Sequence, residues 1–347
     1  MLEFKAVIEK FKMFGPNGEP MEQKIEYRID PLTGKVCTIN MLLGEKAKAF
    51  LGEADTELLM KLQRESKTNC PFCHSMEKGT RFFPDFIEDG YVNIGSTLAV
   101  PNLFSKAGID AVVIVNYKQH ELFPSNIKLE DFKNAIKVGA RLIREGRNYN
   151  SSLIHHIMGM NFLHSGGSSV PHPHFQVHLR SVAYSGIADL LNLSERYYKE
   201  NGRNYWDMLT KKEREINVRY LCDYGDVEWL VPFAPTHQKE VWGLCKKTSS
   251  LANITESIAL AFAKGIAKVV SFYEQEGHFA FTFTFFSAPK DDAEAFFPLQ
   301  VRLCARPAFK NLYTSYDTWF SPKFIGDEAH TSSPEEYGAR LKKLFVF

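Results

Sequence analysis

The sequence predicts an α+β fold made of two similar halves, each with a largely antiparallel sheet. Three observations lead there. Short strand-like runs are separated by turn signals, and the order strand, strand, helix, strand, strand occurs twice. Late in each series, corresponding places carry related segments, 171–180 and 298–304. A repeated element order points to a repeated supersecondary unit. The expected organisation is a first half over 1–185, a helical connection over 186–225 and a second half over 226–347. The N-terminal half is chemically equipped, and the C-terminal half reads as a degenerate copy.

The elements follow in order. Residues 27–29 read as a strand end, and Asp30-Pro31 with Gly34 marks the turn after it. Leu58, Leu59 and Leu62 recur at helical spacing over 54–66. Cys70-Pro71-Phe72-Cys73-His74 reads as a loop. Apolar runs at 98–100 and 111–115 read as strands. A helix over 128–145 places Phe132, Ile136, Gly139, Leu142 and Ile143 on one face. Strands around 153–163 and 174–180 flank the turn Ser165-Gly166-Gly167-Ser168-Ser169. Residues 186–216 are charged and helical in pattern. The second series begins with strands at 229–233 and 240–245. Asn253, with Glu256 three residues on, reads as the cap of a helix reaching about 275. Phe279–Phe286 alternates Phe with Ala or Thr, the period of a strand, and 299–304 is another.

Composition narrows the function classes. Of 347 residues, 44% are hydrophobic and 24% charged, enough apolar material for a substantial core. The net charge of +1 leaves no broad electrostatic footprint for nucleic acid or an anionic membrane. No apolar stretch is long enough to span a bilayer, and the first residues lack the apolar core of a secretory signal. A cytoplasmic location is the expectation. Of six cysteines, only Cys70 and Cys73 are close in sequence, which suggests reduced thiols plus one metal or redox pair.

The sharpest feature is His172-Pro173-His174-Phe175-Gln176-Val177-His178. On a strand, alternate residues share a face, so His172, His174, Gln176 and His178 are expected to point one way. Four polar side chains on one face need water, a metal or a ligand. The glycine-serine turn just upstream lets backbone N–H groups approach an anion. A histidine beside such a loop suits phosphoryl chemistry, because it can attack phosphorus and leave again.

Asn161, Gly167, Ser169 and then His172-Pro173-His174-Phe175-Gln176 together resemble the active-site signature of the galactose-1-phosphate uridylyltransferases, the transferase branch of the histidine-triad superfamily. The resemblance implies two histidine-triad-like halves, with His174 as the nucleophile. It would take a nucleoside monophosphate from a nucleotide sugar and pass it to a sugar 1-phosphate, or to phosphate. Gln176 would hydrogen-bond the phosphoryl group in both steps. Asn102, Asn161, Gly167, Ser168, Ser169 and Arg28 are the implied substrate contacts. Cys70, Cys73, His120 and His172 are the implied ligands of one structural zinc ion per chain, a donor set suited to a closed tetrahedral site. Cys70-x-x-Cys73-His74 also matches a c-type haem attachment motif, and a redox dithiol is the third reading; neither has the sequence context it requires. A homodimer is implied by the resemblance alone.

The likeness covers most of the chain, including Arg28 through Gly34, 193–202, and Glu328-Ala329 with Pro334-Glu335. It departs from the family pattern in places. The two arginines expected shortly after Leu32-Thr33-Gly34 are absent, leaving Lys46, Lys48 or nothing in their place. Thr282-Phe283-Thr284 stands where some members bind a second metal, so no second metal is expected. The family's C-terminal nucleotide-sugar contacts are not recognisable, and His330 is the candidate for one of them. These departures fall on substrate contacts and spare the chemistry. The readings in order are uridylyl transfer, phosphorolysis of an ADP-sugar, hydrolysis, and a zinc-stabilised nucleotide-binding protein without catalysis.

Overall fold

The computed structural model describes residues 2–44, 53–289, 292–312 and 320–345. Lys46 and Lys48 lie outside them. A hairpin opens the chain: β1 (Lys5–Phe14) and β2 (Pro20–Ile29) pair antiparallel along their length. The turn after β2 forms as its Asp-Pro signal suggests. Asp30 Oδ1 accepts from the backbone N–H groups of Leu32 and Thr33, and Gly34 takes a positive φ of 71°. β3 (Val36–Ile39) then pairs with β2, and β14 (Glu328–His330) adds parallel to β3. This four-stranded sheet was not foreseen from the sequence.

The helix α1 (Thr56–Thr68) is capped by the Asp55 side chain, which accepts from Leu58 N–H. The short α2 (Ser75–Lys78) follows the Cys70–Cys73 loop. Next come β4 (Val92–Ile94), β5 (Thr97–Pro101), β6 (Ile109–Ile114), α3 (Leu129–Tyr149), β7 (His155–Phe162) and β8 (His174–Arg180). Two helices, α4 (Ser185–Asn201) and α5 (Tyr205–Ile216), connect to β9 (Tyr220–Tyr224), β10 (Val227–Leu230), β11 (Val241–Cys245), α6 (Glu256–Gln275), β12 (Phe281–Phe286) and β13 (Leu299–Ala305). A last helix, α7 (Pro334–Phe345), closes the described chain.

The two series form one sheet. Its order is β4-β5-β6-β8-β7-β12-β13-β11-β10-β9, with all pairings antiparallel. From the β7–β12 junction outward, the same connectivity is met on both sides: last strand but one, last strand, third, second, first. Each series is thus three strands, a helix and two strands; the short outermost strands β4 and β9 escaped the sequence pattern.

α3 and α6 lie on one face of the sheet. Phe132, Ile136, Leu142 and Ile143 of α3, and Ile258, Phe262, Ile266, Val269 and Val270 of α6, are buried against Phe175, Val177, Leu179, Phe281, Phe283 and Phe285. Each such side chain stabilises the fold by about 1.5–3 kcal/mol. The buried alternate Phe residues of β12 account for part of the Phe excess. The cap of α6 is Thr255, whose side chain accepts from Ile258 N–H, and not Asn253, which ends a short 3-10 turn. The Thr offers the same oxygen one residue before the helix, so the hydroxyl displaces the amide as cap.

The opposite face is divided. Over the second series, α4 and α5 cover the sheet with Leu190, Trp206 and Leu209 packed on Leu230, Trp242 and Leu244. Over the outer strands of the first, Phe72 and Met76 from the Cys70 region pack on Leu98, Val100, Val112 and Ile114. Among the described residues, no helix is long and apolar enough to cross a membrane.

Candidate active site and metal centre

The first series' polar face begins at β8. His174, Gln176 and His178 alternate with Phe175, Val177 and Leu179, which enter the core. His172 lies just before the strand, beyond Pro173; its ring, like that of His174, packs edge-on against Phe72 and also meets the Cys70 loop. A single run of alternating residues therefore serves two sites.

Four donors converge beside it. Cys70 Sγ lies 3.4 Å and Cys73 Sγ 3.6 Å from His172 Nδ1; Cys73 Sγ is 3.5 Å from His120 Nδ1, and the two Nδ1 atoms are 3.1 Å apart. All lie within 4.8 Å of one another. These are the edges of a tetrahedron whose centre is about 2.0–2.3 Å from each donor. The tautomers agree. His172 Nε2 donates to Asn116 O at 3.1 Å, leaving a lone pair on Nδ1. Ser66 donates its hydroxyl proton to Leu62 O, so at 2.8 Å it accepts from His120 Nε2–H, leaving His120 Nδ1 unprotonated too. Two lone pairs facing each other at 3.1 Å repel unless a cation lies between them. Burial holds both rings neutral, with His172 down at about 3 through burial and the neighbouring His120. The four residues suit a metal ion.

His174 is 6% exposed, and burial depresses its pKa. Its Nδ1 donates to His172 O at 2.7 Å, so Nε2 carries the lone pair. Phe72 meets the ring edge-on at a centroid distance of 4.9 Å. The cysteine loop therefore braces the imidazole, while the backbone carbonyl of His172 sets its tautomer.

The glycine-serine loop folds back over β7. Leu163 and Gly167 take positive φ values of 61° and 90°, and Gly166, Gly167 and Ser168 N–H bond back to Leu163 O, His164 O and Leu163 O. A Cβ on Gly167 would lie 3.8 Å from Asn161 Nδ2, so the loop and the amide face each other. Asn161, Gly167 and Ser169 are exposed; Ser168 is buried, its hydroxyl donating to Val170 O.

Farther along the face, His178 Nε2 is 3.5 Å from Asp110 Oδ1. Asp110 also accepts from Asn102 Nδ2 at 3.1 Å and from Lys106 N–H at 2.7 Å, which ties Asn102 to the catalytic strand. Arg28 is engaged elsewhere. Its guanidinium forms a bidentate pair with Glu335 at 2.9 Å and also meets Glu26 and Phe233 O. His330 is 1% exposed at the end of β14.

The supporting residues Phe72, Ser66, Asn116 and Asp110 were missed by sequence reading. Asp110 had a signal, a lone carboxylate in the apolar run Ile109–Ile114. The others act through contacts that no local pattern records.

No protein-family model matches the chain. An uncharacterized protein of Archaeoglobus fulgidus is 27% identical over 99% of both chains. Among solved structures, an ADP-glucose phosphorylase from Arabidopsis thaliana with bound ADP-glucose superposes with a TM-score of 0.69 at 13% identity, covering 92% of this chain and 99% of its own. A GalT-like protein from the same plant gives 0.68 at 14%, covering 92% and 98%, and a uridylyltransferase mutant 0.65 at 18%, covering 92% and 97%. The chain shares the fold of these proteins over nearly their whole length.

Proposed function

We propose that the chain is a nucleotidyltransferase of the GalT-like branch that works through a covalent nucleotidyl-His174 intermediate. The observation that carries this reading is the neutral His174 ring, its Nδ1–H committed to His172 O and its Nε2 left as the nucleophile. Nε2 attacks the α-phosphorus of a nucleotide sugar. The N–P bond forms, the α-phosphorus–oxygen bond breaks, and sugar 1-phosphate leaves with the bond's electrons. An acceptor phosphate oxygen then attacks the same phosphorus and frees the imidazole. Gln176, with the exposed side chains of Asn161 and Ser169, stabilises charge on the phosphoryl oxygens in both steps. Asn102, Asn161, Gly167 and Ser169 are the substrate contacts in this reading; Ser168 shapes the loop.

The Cys70, Cys73, His120 and His172 set is assigned to zinc, whose tetrahedral S/N preference it suits. Zinc would pin the cysteine loop, and so Phe72, to the start of β8.

Uridylyl transfer from a UDP-sugar to a sugar 1-phosphate is the first form of the activity. A second form, phosphorolysis of an ADP-sugar, is favoured by one observation: Arg28, the arginine of the N-terminal element, is already paired with Glu335. With no arginine following it in that region, inorganic phosphate is the simpler acceptor. We extend the reading to a homodimer, supported by β1, all ten of whose residues are exposed, including Val7, Ile8, Phe11 and Phe14. Light scattering of the purified chain tests that extension.

Intact mass after incubation with UDP-glucose or ADP-glucose, without acceptor, tests the chemistry. One nucleoside monophosphate per chain, absent from His174→Gly, is the expected result and identifies the base. Unmodified protein with every nucleotide sugar tried, at full metal occupancy, would overturn covalent transfer.

A further inference from the structure

A sizeable cavity lies away from His174. It occupies about 620 Å³ over the second series, between the sheet, α4, α5 and the turn after β2. Trp206, Trp242, Phe286, Tyr205, Thr284 and Arg302 contribute to its walls. Nothing in the proposed reaction uses it.

Arg302 is its unusual member. The guanidinium stands 4.1 Å over the Trp242 ring and 4.6 Å from Phe286. Nε and Nη2 both donate to Gln300 Oε1, at 3.2 and 2.9 Å. Nη1 has no partner, and no carboxylate lies within ion-pair distance among the described residues. The nearest acids, Glu240 and Asp30, line the same cavity but are engaged with their own loops, Asp30 through Oδ1. Glu240 accepts from Thr236 N–H, Thr236 Oγ1, His237 N–H and Trp242 Nε1. Asp30 Oδ1 accepts from Leu32 N–H, Thr33 N–H and Thr33 Oγ1. They offset the charge at a distance without capping it.

Tyr205 is a second, independent sign. It is 1% exposed and fixed against Tyr197 and Trp206, yet it lines the cavity, and its hydroxyl makes no hydrogen bond among the described residues. Buried polar groups are almost always paired. A guanidinium edge and a phenol opening into one chamber are donors suited to an oxyanion.

We infer that this cavity binds a small organic anion, its phosphate or carboxylate held by Arg302 Nη1 and the Tyr205 hydroxyl and its ring body against the aromatic walls. A chamber of this volume is within the range that takes such ligands. The site is separate from the nucleophile. The register runs Gln176–Gly159–Thr284–Arg302 across β8, β7, β12 and β13, three strand spacings or roughly 14 Å.

Titration calorimetry of the full chain with phenyl phosphate and with benzoate tests the inference and tells the two anion sources apart. Saturable binding of at least one probe is expected. His174→Gly should leave it unchanged, so the result does not depend on the proposed chemistry. Tyr205→Phe should weaken it about fivefold, as for one lost neutral hydrogen bond. Arg302→Lys should weaken it by about tenfold or more, because a point charge does not reproduce the fork. Absence of saturable binding of either probe overturns the inference. So does binding that His174→Gly abolishes or that Tyr205→Phe leaves unchanged.

Discussion

β8 and β13 occupy corresponding places in the two series, and both send odd-numbered side chains into the core and even-numbered ones to the opposite face. On β8 that face carries His174, Gln176 and His178; on β13 it carries Gln300, Arg302 and Cys304. The scaffold is the same and the cover differs. Beside β8 a cysteine loop steadies one imidazole and leaves Gly167 and Ser169 of the glycine-serine turn exposed. Over β13, α4 and α5 close a chamber walled by Trp206 and Trp242. Repeating a strand order therefore repeats a platform, and the chemistry follows from what is placed on it and what is laid over it.

The sharpest way to break this comparison is at His174, the proposed nucleophile. His174→Gly should lower nucleotidyl transfer by on the order of 10³-fold or more. Its melting temperature should stay within about 3 °C of the parent, since the ring lies outside the main apolar core. A variant that keeps its turnover would place the chemistry elsewhere.

The metal ligands come next. Cys70→Ser or Cys73→Ser should reduce metal content and lower the melting temperature by on the order of 10 °C. Since the described residues hold this one cluster, the loss should be local. Amide exchange should rise around residues 66–73 and 116–122 while β10–β13 stay protected. Uniform loss of protection in both series would refute a clamp confined to the first.

Corresponding helices offer a finer contrast. A Cβ on Gly265 would lie 2.0 Å from Trp229, whose ring is fully buried. A Cβ on Gly139 would meet Met158 Sδ at 2.3 Å, on a flexible chain. Alanine gains about 1 kcal/mol of helix propensity at either position. Gly265→Ala should still lose about 2 kcal/mol through overpacking, whereas Gly139→Ala should be nearly neutral. Denaturant midpoints decide; equal losses would show that Met158 cannot move aside.

The smallest effect concerns pH. Burial pushes His330 down to about 4, against the opposing pull of Glu240. The folded pKa is depressed, so the unfolded chain takes up this proton first. The stability is present above about pH 6.5 and is lost as pH falls toward 4. His330→Gln should flatten the slope of stability against pH in that window. An unchanged slope would mean that the ring is already protonated in the fold.

Much of this was legible in the chain itself. Periodicity located α3, α6, β8 and β12, because each turns one apolar face to a single core. The alternating histidines and the Cys-x-x-Cys spacing marked the chemical half for the same reason: local patterns report on side chains that share an element. β1 and most of β2 escaped because their apolar residues face no core, and β4 because three residues carry no readable period. His172 was expected to point the same way as His174, and both rings meet Phe72, although the ladder of β8 starts only at His174.

By itself, then, the sequence determined the α+β class and the repeated element order, and it named the four residues, Cys70, Cys73, His120 and His172, that the fold brings within 4.8 Å of one another. Tertiary structure decided the rest. It merged the two series into one sheet through β7 and β12, turned two Nδ1 lone pairs toward two thiols, drew Arg28 into an ion pair with Glu335, and left Arg302 facing a chamber. These outcomes depend on contacts between segments far apart in the chain, where no local propensity acts and only packing and the pairing of buried polar groups choose among partners.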